Sequence, residues 1–441
     1  GHAQFYDSAT PQDLAKVLAQ WLDHFRAGDH IRSEDLAILT WQESTENLKK
    51  QLAVSTNPRK QLMVDVSELV QRDAATGIQR VVKKICAEWL AQPPAGYRVE
   101  LVYAAPEHGY RYARAFSSTF CPQNCSAAPD DFVEFAPGDI FFGLDLQPQV
   151  QVQHQSQLKE MQRLGVIVKF MVYDLLPVTI PQFFPTGAEK GMHEWLRVTA
   201  QADGVVCISK STAADYANWI GLHMPAQQKL CGVEYAHLGS DFAGEISVCD
   251  DRQRRQLSAR SSNIAARFLM VGTIEPRKGH AGVLDAFELA WKRGDNIHLS
   301  LVGKKGWMCD HLEKRILNHP ELNKRLLWLS DADDTALERA YNDSDCLIVA
   351  SYGEGFGLPI VEAAAHGLAI LARDLPVFRE IAAGNAQYFG GDDARGLLSA
   401  LSNWVTLFKA NQHPKSEQIE LITWQSSADR IAAKLIKQSA Q

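Results

Sequence analysis

Cysteine is scarce in this chain, with eight among 441 residues, at positions 86, 121, 125, 207, 231, 249, 309 and 346. The one close pair, Cys121 and Cys125, has neither a second pair nor a neighbouring histidine cluster to complete a zinc site. Reduced thiols of a cytosolic protein, with no structural metal, are the expectation. Long apolar runs are missing as well: the stretches 166–168 and 170–176 are broken by Lys169 and Asp174. Nothing approaches the roughly 18–20 apolar residues of a membrane span. The start, Gly1-His2-Ala3-Gln4, lacks the shape of a signal peptide and reads as the scar of a cleaved tag. Positive charge is in short supply, 45 Lys and Arg against 52 Asp and Glu, a formal charge of -7. That balance argues against wide coverage of a nucleic-acid backbone and leaves room only for a local basic groove. What the chain does have is an apolar fraction of 46%, which excludes a largely disordered protein, and a length that allows two or three domains with their own cores.

The first positive signal is a repeat. Gln4-Phe5-Tyr6 returns as Gln387-Tyr388-Phe389, Trp21 as Trp404, Phe25 as Phe408 and His30 as His413. Thr40-Trp41-Gln42 returns as Thr423-Trp424-Gln425, and every match keeps one offset of 383 positions. Leu14, Leu18, Trp21, Leu22 and Phe25 stand near helical spacing, as do Leu397, Leu401, Trp404, Val405 and Phe408. Thr40 and Thr423 stand where an N-cap would. A period of 383 is a domain length, far beyond a solenoid repeat. Residues 3–52 therefore read as the helical tail of a preceding module, although two similar helical pairs of unrelated purpose would leave the same trace.

From residue 60 onward short apolar runs alternate with longer amphipathic segments, the signature of parallel sheets covered by helices. Strands are expected at 61–66, 98–103, 139–142, 165–173 and 203–208, with helices opening at Gly77 and after Ser209 or Ser211. The polar, arginine-rich stretch 250–262 reads as a linker or short exposed helix. A second alternating block follows, with strands at 267–271, 297–302, 326–329, 345–349 and 369–372. The expected fold is α/β: two Rossmann-like domains, 60–250 and 264–422, facing a cleft, with a crossover helix at 423–441.

Two strand-to-helix loops carry phosphate-binding signals. In 271–280, Gly272 and Gly279 allow tight turns before a helix N-terminus, while Arg277 adds a fork of donors and Lys278 a point charge. Alone, such a loop is ordinarily just solvated. In 351–359 the backbone around Gly353, Gly355 and Gly357 could cradle phosphate oxygens, and Pro359 falls early in the next helix, where its missing donor does no harm. Glu354 in that loop and Glu362 one turn into the helix can face one ligand at different depths, yet their spacing alone does not establish acid and base roles.

The run Glu354-Gly355-Phe356-Gly357-Leu358-Pro359-Ile360-Val361-Glu362, together with 272–279, resembles the retaining glycosyltransferases of family 4, which have the GT-B fold. The resemblance in layout extends over about 60–441. Within that family the chain is similar to bacterial mannosyltransferases that build O-antigen polysaccharides from GDP-sugars. With the repeat, it looks like the C-terminal module of a bifunctional polymannan polymerase.

The resemblance implies a set of roles. Glu362 would accept hydrogen bonds from ribose hydroxyls, and Glu354 would stand beside the donor hexose. The amides of Gly355, Phe356, Gly357 and Leu358 would bind the hexose hydroxyls or distal phosphate, and Lys278 the diphosphate. Thr273 stands where the family has an arginine, a loss for which Arg277 would compensate. Ser330 is the named side chain of the base-binding region. From the first domain, Gly77 belongs to the glycine loop that approaches the donor phosphate. Arg80, Tyr173, Asp174 and Lys210 are expected on the acceptor side, Tyr173 replacing a family histidine. Asp174 would orient an acceptor or donor-sugar hydroxyl, or else cap the following turn.

The implied reaction transfers mannose from GDP-mannose to a growing mannan carried on undecaprenyl diphosphate, with retention. Asp174, Glu354, Lys278 and Arg277 carry the chemistry. Asp331-Ala332-Asp333 has the letters of a metal motif but falls in the base-binding region, so neither a metal nor a cofactor is expected. The implied setting is the bacterial cytoplasm, peripheral to the inner face of the cytoplasmic membrane. Its partners there would be an upstream module of the same parent chain and membrane-associated O-antigen assembly proteins. GDP-D-rhamnose is an alternative donor, and a non-catalytic polysaccharide-binding or assembly module an alternative role.

Overall fold

The computed structural model describes residues 11–29, 40–41, 44–45, 59–120, 130–240 and 264–436. The chain divides into two compact units, Gly1–Arg59 and Lys60–Gln441. In the first, helix α1 spans Pro11–Ala27 and stacks Trp21 on Phe25, with ring centroids 5.2 Å apart at 20°. The second unit repeats this motif. A helix of almost the same length, Ala394–Lys409, begins 383 positions later and stacks Trp404 on Phe408 at 4.8 Å and 17°. The Ser44 amide donates to the Thr40 carbonyl at 2.8 Å, and the Ser427 amide donates to that of Thr423 at 3.0 Å. The remainder of the expected match, 3–10, 30–39, 42–43 and 46–52, lies outside the described residues, as do Cys121, Cys125 and the stretch 250–262.

The larger unit holds two sheets. The first runs in the order β3-β2-β1-β4-β5-β6-β7, from β1 Lys60–Asp65, β2 Tyr97–Ala105, β3 His108–Tyr112, β4 Ile140–Gly143, β5 Ile167–Val172, β6 Gly204–Cys207 and β7 Gly232–Tyr235. All neighbours are parallel except β2 and β3. The central strands are buried along nearly their whole length because helices cover both faces, which is why they read as continuous apolar runs. The second sheet is parallel throughout, in the order β10-β9-β8-β11-β12-β13. Its strands are β8 Ala266–Val271, β9 Ile297–Val302, β10 Leu326–Leu329, β11 Cys346–Val349, β12 Ala369–Arg373 and β13 Gln387–Phe389. Sequence reading missed β3, β7 and β13. Each is an edge strand of three to five residues, only partly buried and without the continuous apolar run that marks the central strands.

The helices used below are α2 Gly77–Ala91, α3 Lys210–His223, α4 His280–Arg293, α5 Asp334–Asn342, α6 Leu358–Ala365, α7 Pro376–Ala382, α8 Ala394–Lys409 and α9 Trp424–Ile436. After the second sheet the chain returns to the first domain. There Trp424, Ala428, Ile431 and Leu435 of α9 join the core beside Val81, Ile85 and Trp89 of α2. The Trp89 indole donates to the Ala428 carbonyl at 3.2 Å, and Lys169 of β5 donates to the Lys434 carbonyl at 2.8 Å. The loops at the carboxyl ends of β1, β5 and β6 thereby face those of β8 and β11.

Candidate active site

The loop after β1 enters α2 through a capping box: the Thr76 hydroxyl accepts from the Gln79 amide at 3.2 Å, and the Gln79 side chain accepts from the Thr76 amide at 3.3 Å. The cap fixes the first turn, in which Gly77 starts the helix and Arg80 projects toward the second domain. Arg80 Nη1 donates to Glu362 Oε1 at 2.6 Å. Arg80, expected on the acceptor side, thus reaches from the first domain to the carboxylate that the resemblance gives to the donor's ribose. The second Glu362 oxygen accepts from the Tyr341 hydroxyl at 2.6 Å, and the Glu362 side chain is 4% exposed. Lys304 also donates to the Ala74 carbonyl, tying the glycine loop to the second domain.

The loop after β8 is shaped by two glycines. Gly272 has φ +134° and Gly279 has φ +76°; a Cβ at 279 would also overlap the Ala350 carbonyl. The single turn between them, Pro276–Lys278, turns both cations onto one carboxylate. Lys278 Nζ donates to Glu354 Oε1 at 2.5 Å, Arg277 Nη1 to Glu354 Oε2 at 3.2 Å, and the Ser351 hydroxyl to Oε1 at 2.7 Å. Arg277 Nη2 also meets Glu275 at 2.6 Å. Burial alone would raise the Glu354 carboxyl, but the charges of Lys278 and Arg277 hold it down at about 2. Burial pushes Glu275 up to about 7 against the pull of Arg277.

Asp174, at the carboxyl end of β5, is pushed above its usual range by burial and pulled back by Arg277, so the two domains do bring it within electrostatic reach of the Lys278–Glu354 set. One of its oxygens accepts from the Leu176 amide at 3.1 Å, so it caps a turn as well. Tyr173 is different. Its ring is 3% exposed, packed in the core, and its hydroxyl donates to the Leu144 carbonyl at 2.8 Å, which removes it from the acceptor side. Its carbonyl matters instead: a Cβ on Gly355 would overlap the Tyr173 oxygen, so Gly355 permits the two domains to approach. The Lys210 side chain is exposed, and the structure engages its amide, which donates with that of Ser211 to Glu380 of α7 at 2.7 and 2.8 Å.

Gly357, with φ +104°, caps α6, and the adjacent Phe356 ring is buried 5.7 Å from His237, leaving only backbone to offer a ligand. Thr273 is half-buried beside Gly306. The Ser330 hydroxyl is paired with Asp331 at 3.0 Å, and Asp333 caps α5 on the Ala336 amide at 2.7 Å. Among the described residues no three His, Cys, Asp or Glu side chains gather as they would around a metal.

Sequence reasoning missed the second layer around these residues. Tyr341, Glu275 and the clasp at the cleft mouth carry no role in the sequence reading. In that clasp Phe183 stacks on Tyr352 at 4.7 Å and Phe184 on Trp307 at 5.8 Å, while the Trp307 indole donates to the Phe183 carbonyl at 3.0 Å. The aromatic pair Phe183-Phe184 between two prolines was its one signal in the sequence.

Comparison with known proteins adds the following. Residues 253–404 match the family described as Glycosyl transferases group 1. Serotype-specific mannosyltransferase WbdA of Escherichia coli is 37% identical over 416 residues, 94% of this chain and 48% of that protein. Another WbdA of the same species is 39% identical over 390 residues, 87% of this chain and 48% of that protein. O-antigen chain mannosyltransferase RfbU of Salmonella typhimurium is 28% identical over 137 residues, 31% of this chain and 37% of that protein. The chain spans about half the length of the curated WbdA relatives it matches. Anabaena HepE in complex with UDP-glucose has the same fold, with a TM-score of 0.56 and 14% identity over 86% of this chain and 95% of that one.

Proposed function

Starting from a chain that is a group 1 glycosyltransferase of the GT-B fold, we propose that it transfers mannose from GDP-mannose to a hydroxyl of a growing O-antigen mannan, with retention. The observation that carries the reading is the pairing of the cations at the two loops and of Arg80 with cleft carboxylates. Lys278 and Arg277 sit on Glu354, and Arg80 sits on Glu362. A sugar diphosphate exchanges these partners. Its phosphates take the two cations, freeing Glu354 for hexose hydroxyls, and its ribose hydroxyls donate to Glu362.

The bond from the anomeric carbon to the diphosphate oxygen then breaks as the acceptor hydroxyl attacks from the same face. The hydroxyl proton passes to the departing phosphate, and GDP leaves with the bonding pair. Lys278, Arg277 and the amides at the α4 and α6 N-termini stabilise the charge developing on the diphosphate. Asp174, whose raised proton affinity keeps it a ready hydrogen-bond partner, orients the reacting hydroxyl. Cations and helix ends meet the phosphate charge, so the reaction needs no metal. Closure across Gly355 and the aromatic clasp excludes water that would hydrolyse the donor.

The identity with WbdA over half its length supports an upstream module in the same polypeptide, and a lipid-diphosphate-linked mannan as acceptor. No helix among the described residues is long and apolar enough to cross a membrane; a peripheral position at the inner face of the cytoplasmic membrane suits that acceptor.

The test is incubation of the chain with a mannan oligosaccharide and GDP-mannose, beside a parallel arm with GDP-D-rhamnose, read by mass spectrometry. Elongation by hexose, abolished in Glu354→Gln, is expected. Elongation only from GDP-D-rhamnose would reassign the donor, and none from either would leave a binding module.

A further inference from the structure

A cavity of about 470 Å³ in the second domain lies away from the donor loops. It opens at the amino ends of β8, β9 and β10, whereas Gly272 and the phosphate loop follow the carboxyl end of β8. Its floor is the part of the sheet face that α5 leaves uncovered, and its charge is mainly positive, with Asp343 the acidic side chain in the lining. Arg267 and His298 are cross-strand neighbours in register, and Arg325 and Lys324 enter from the turn before β10. Arg339 reaches in from α5.

Like charges side by side on one sheet face oppose folding unless something answers them. Two are answered within the protein. Arg325 lies on Glu321 through two bonds of 2.8 Å, and Arg267 Nη1 lies 4.0 Å from Asp345. The other two form no ion pair among the described residues: Arg339 does not reach Asp343, the residue after its helix, and the Lys324 ammonium donates to the Pro320 carbonyl at 3.0 Å and feels the Glu321 charge from a distance. His298, half-buried, is held below its ordinary value by burial and then by Arg267 and Arg325, against the pull of Glu321. Leu327 and Leu329 of β10 continue the same sheet face in apolar residues, and Ala340 of α5 adds to them.

From this arrangement we infer a second anion-binding site, which takes a small phosphorylated ligand of sugar-phosphate size. Its phosphate lies among Arg267, Lys324, Arg325 and Arg339, and its uncharged body lies against the leucines. The volume suits one such molecule and not a polymer. The inference does not depend on the donor or acceptor proposed above. It bears on the donor site all the same, because α5 carries both Arg339 in the cavity and Tyr341, whose hydroxyl holds Glu362.

The test is isothermal titration of the chain with glucose 6-phosphate and, separately, inorganic phosphate. Lys278→Ala removes the donor loop as a competing site, and Lys324→Ala/Arg339→Ala removes the unanswered charges. Both altered side chains of the double variant are exposed, so it should fold and melt as the parent does; the single Arg339→Glu serves if it does not. Binding of glucose 6-phosphate that survives Lys278→Ala and weakens at least tenfold in the double variant, with inorganic phosphate binding more weakly at the same site, is expected. Binding abolished by Lys278→Ala, unchanged in the double variant, or undetectable for both probes overturns the site.

Discussion

Glu362 serves two masters, and two substitutions separate them. In Glu362→Ala the Tyr341 hydroxyl, buried with the rest of its side chain, loses the carboxylate oxygen at 2.6 Å and has nothing to replace it. An unsatisfied buried donor costs about 1–3 kcal/mol. Arg80 adds little, because its side chain is 33% exposed and turns into solvent in the open cleft. In a domain of this size each kcal/mol moves the melting temperature by roughly 2–4 °C, so Glu362→Ala should melt about 2–12 °C below the parent. Glu362→Gln keeps an acceptor for Tyr341 and should lose less than about 1 kcal/mol.

Donor binding responds differently. Both variants lack the charged acceptor for two ribose hydroxyls, a loss of about 1–3 kcal/mol or roughly 5- to 150-fold in affinity. Calorimetric titration with GDP-mannose beside differential scanning calorimetry measures the two effects on the same samples. A Glu362→Gln variant that binds the donor as tightly as the parent refutes the ribose assignment. A Glu362→Ala variant that melts with the parent refutes the structural role of the Tyr341 bond.

Glu354, held at about 2 against an ordinary 4.5, contributes stability that is present above about pH 5 and lost as pH falls toward 2. Melting temperatures from pH 6 to pH 3 should fall more steeply in the parent than in Glu354→Gln, and parallel profiles would contradict the ion-pair assignment. Gly355→Ala sets a methyl group on the Tyr173 carbonyl and should hold the domains apart, lowering kcat at least tenfold with little change in melting; unaltered turnover would show that this approach is not needed. Transfer should continue in excess EDTA, and loss of activity restored by manganese would return attention to Asp331 and Asp333.

The two loops proposed to bind a diphosphate stand out in the sequence because each packs its residues into a short run: Gly272 to Gly279, and Glu354 to Glu362. A glycine at a forced φ, a cation beside it and a helix start leave marks in adjacent letters. Arg80 shows where that ends. It stands in a recognisable loop, but its partner is 282 positions away and is reached only when two domains meet, so the pairing leaves no mark in adjacent letters. Tyr173 fails for another reason: the strand end was located correctly, yet whether its ring enters the cleft or the core depends on the free carbonyl of Leu144. Tyr341, Trp307 and Phe183 act through contacts between elements distant in sequence, and no local pattern announces them. The edge strands β3, β7 and β13 were lost because they are only partly buried and mix polar with apolar residues, without the continuous apolar run of the central strands.

The return of α9 into the first domain fixes the order in which the molecule can be finished on the ribosome. The apolar face of α2 that includes Trp89 is covered by Ala428 and its neighbours, and 339 positions of chain separate the two. At roughly 5–20 residues per second that face waits about 17–70 s for its cover. The half of the protein made first is therefore completed last. During that interval Val81, Ile85 and Trp89 are a target for chaperones, and a chain truncated just before Trp424 damages the domain at the opposite end of its own sequence.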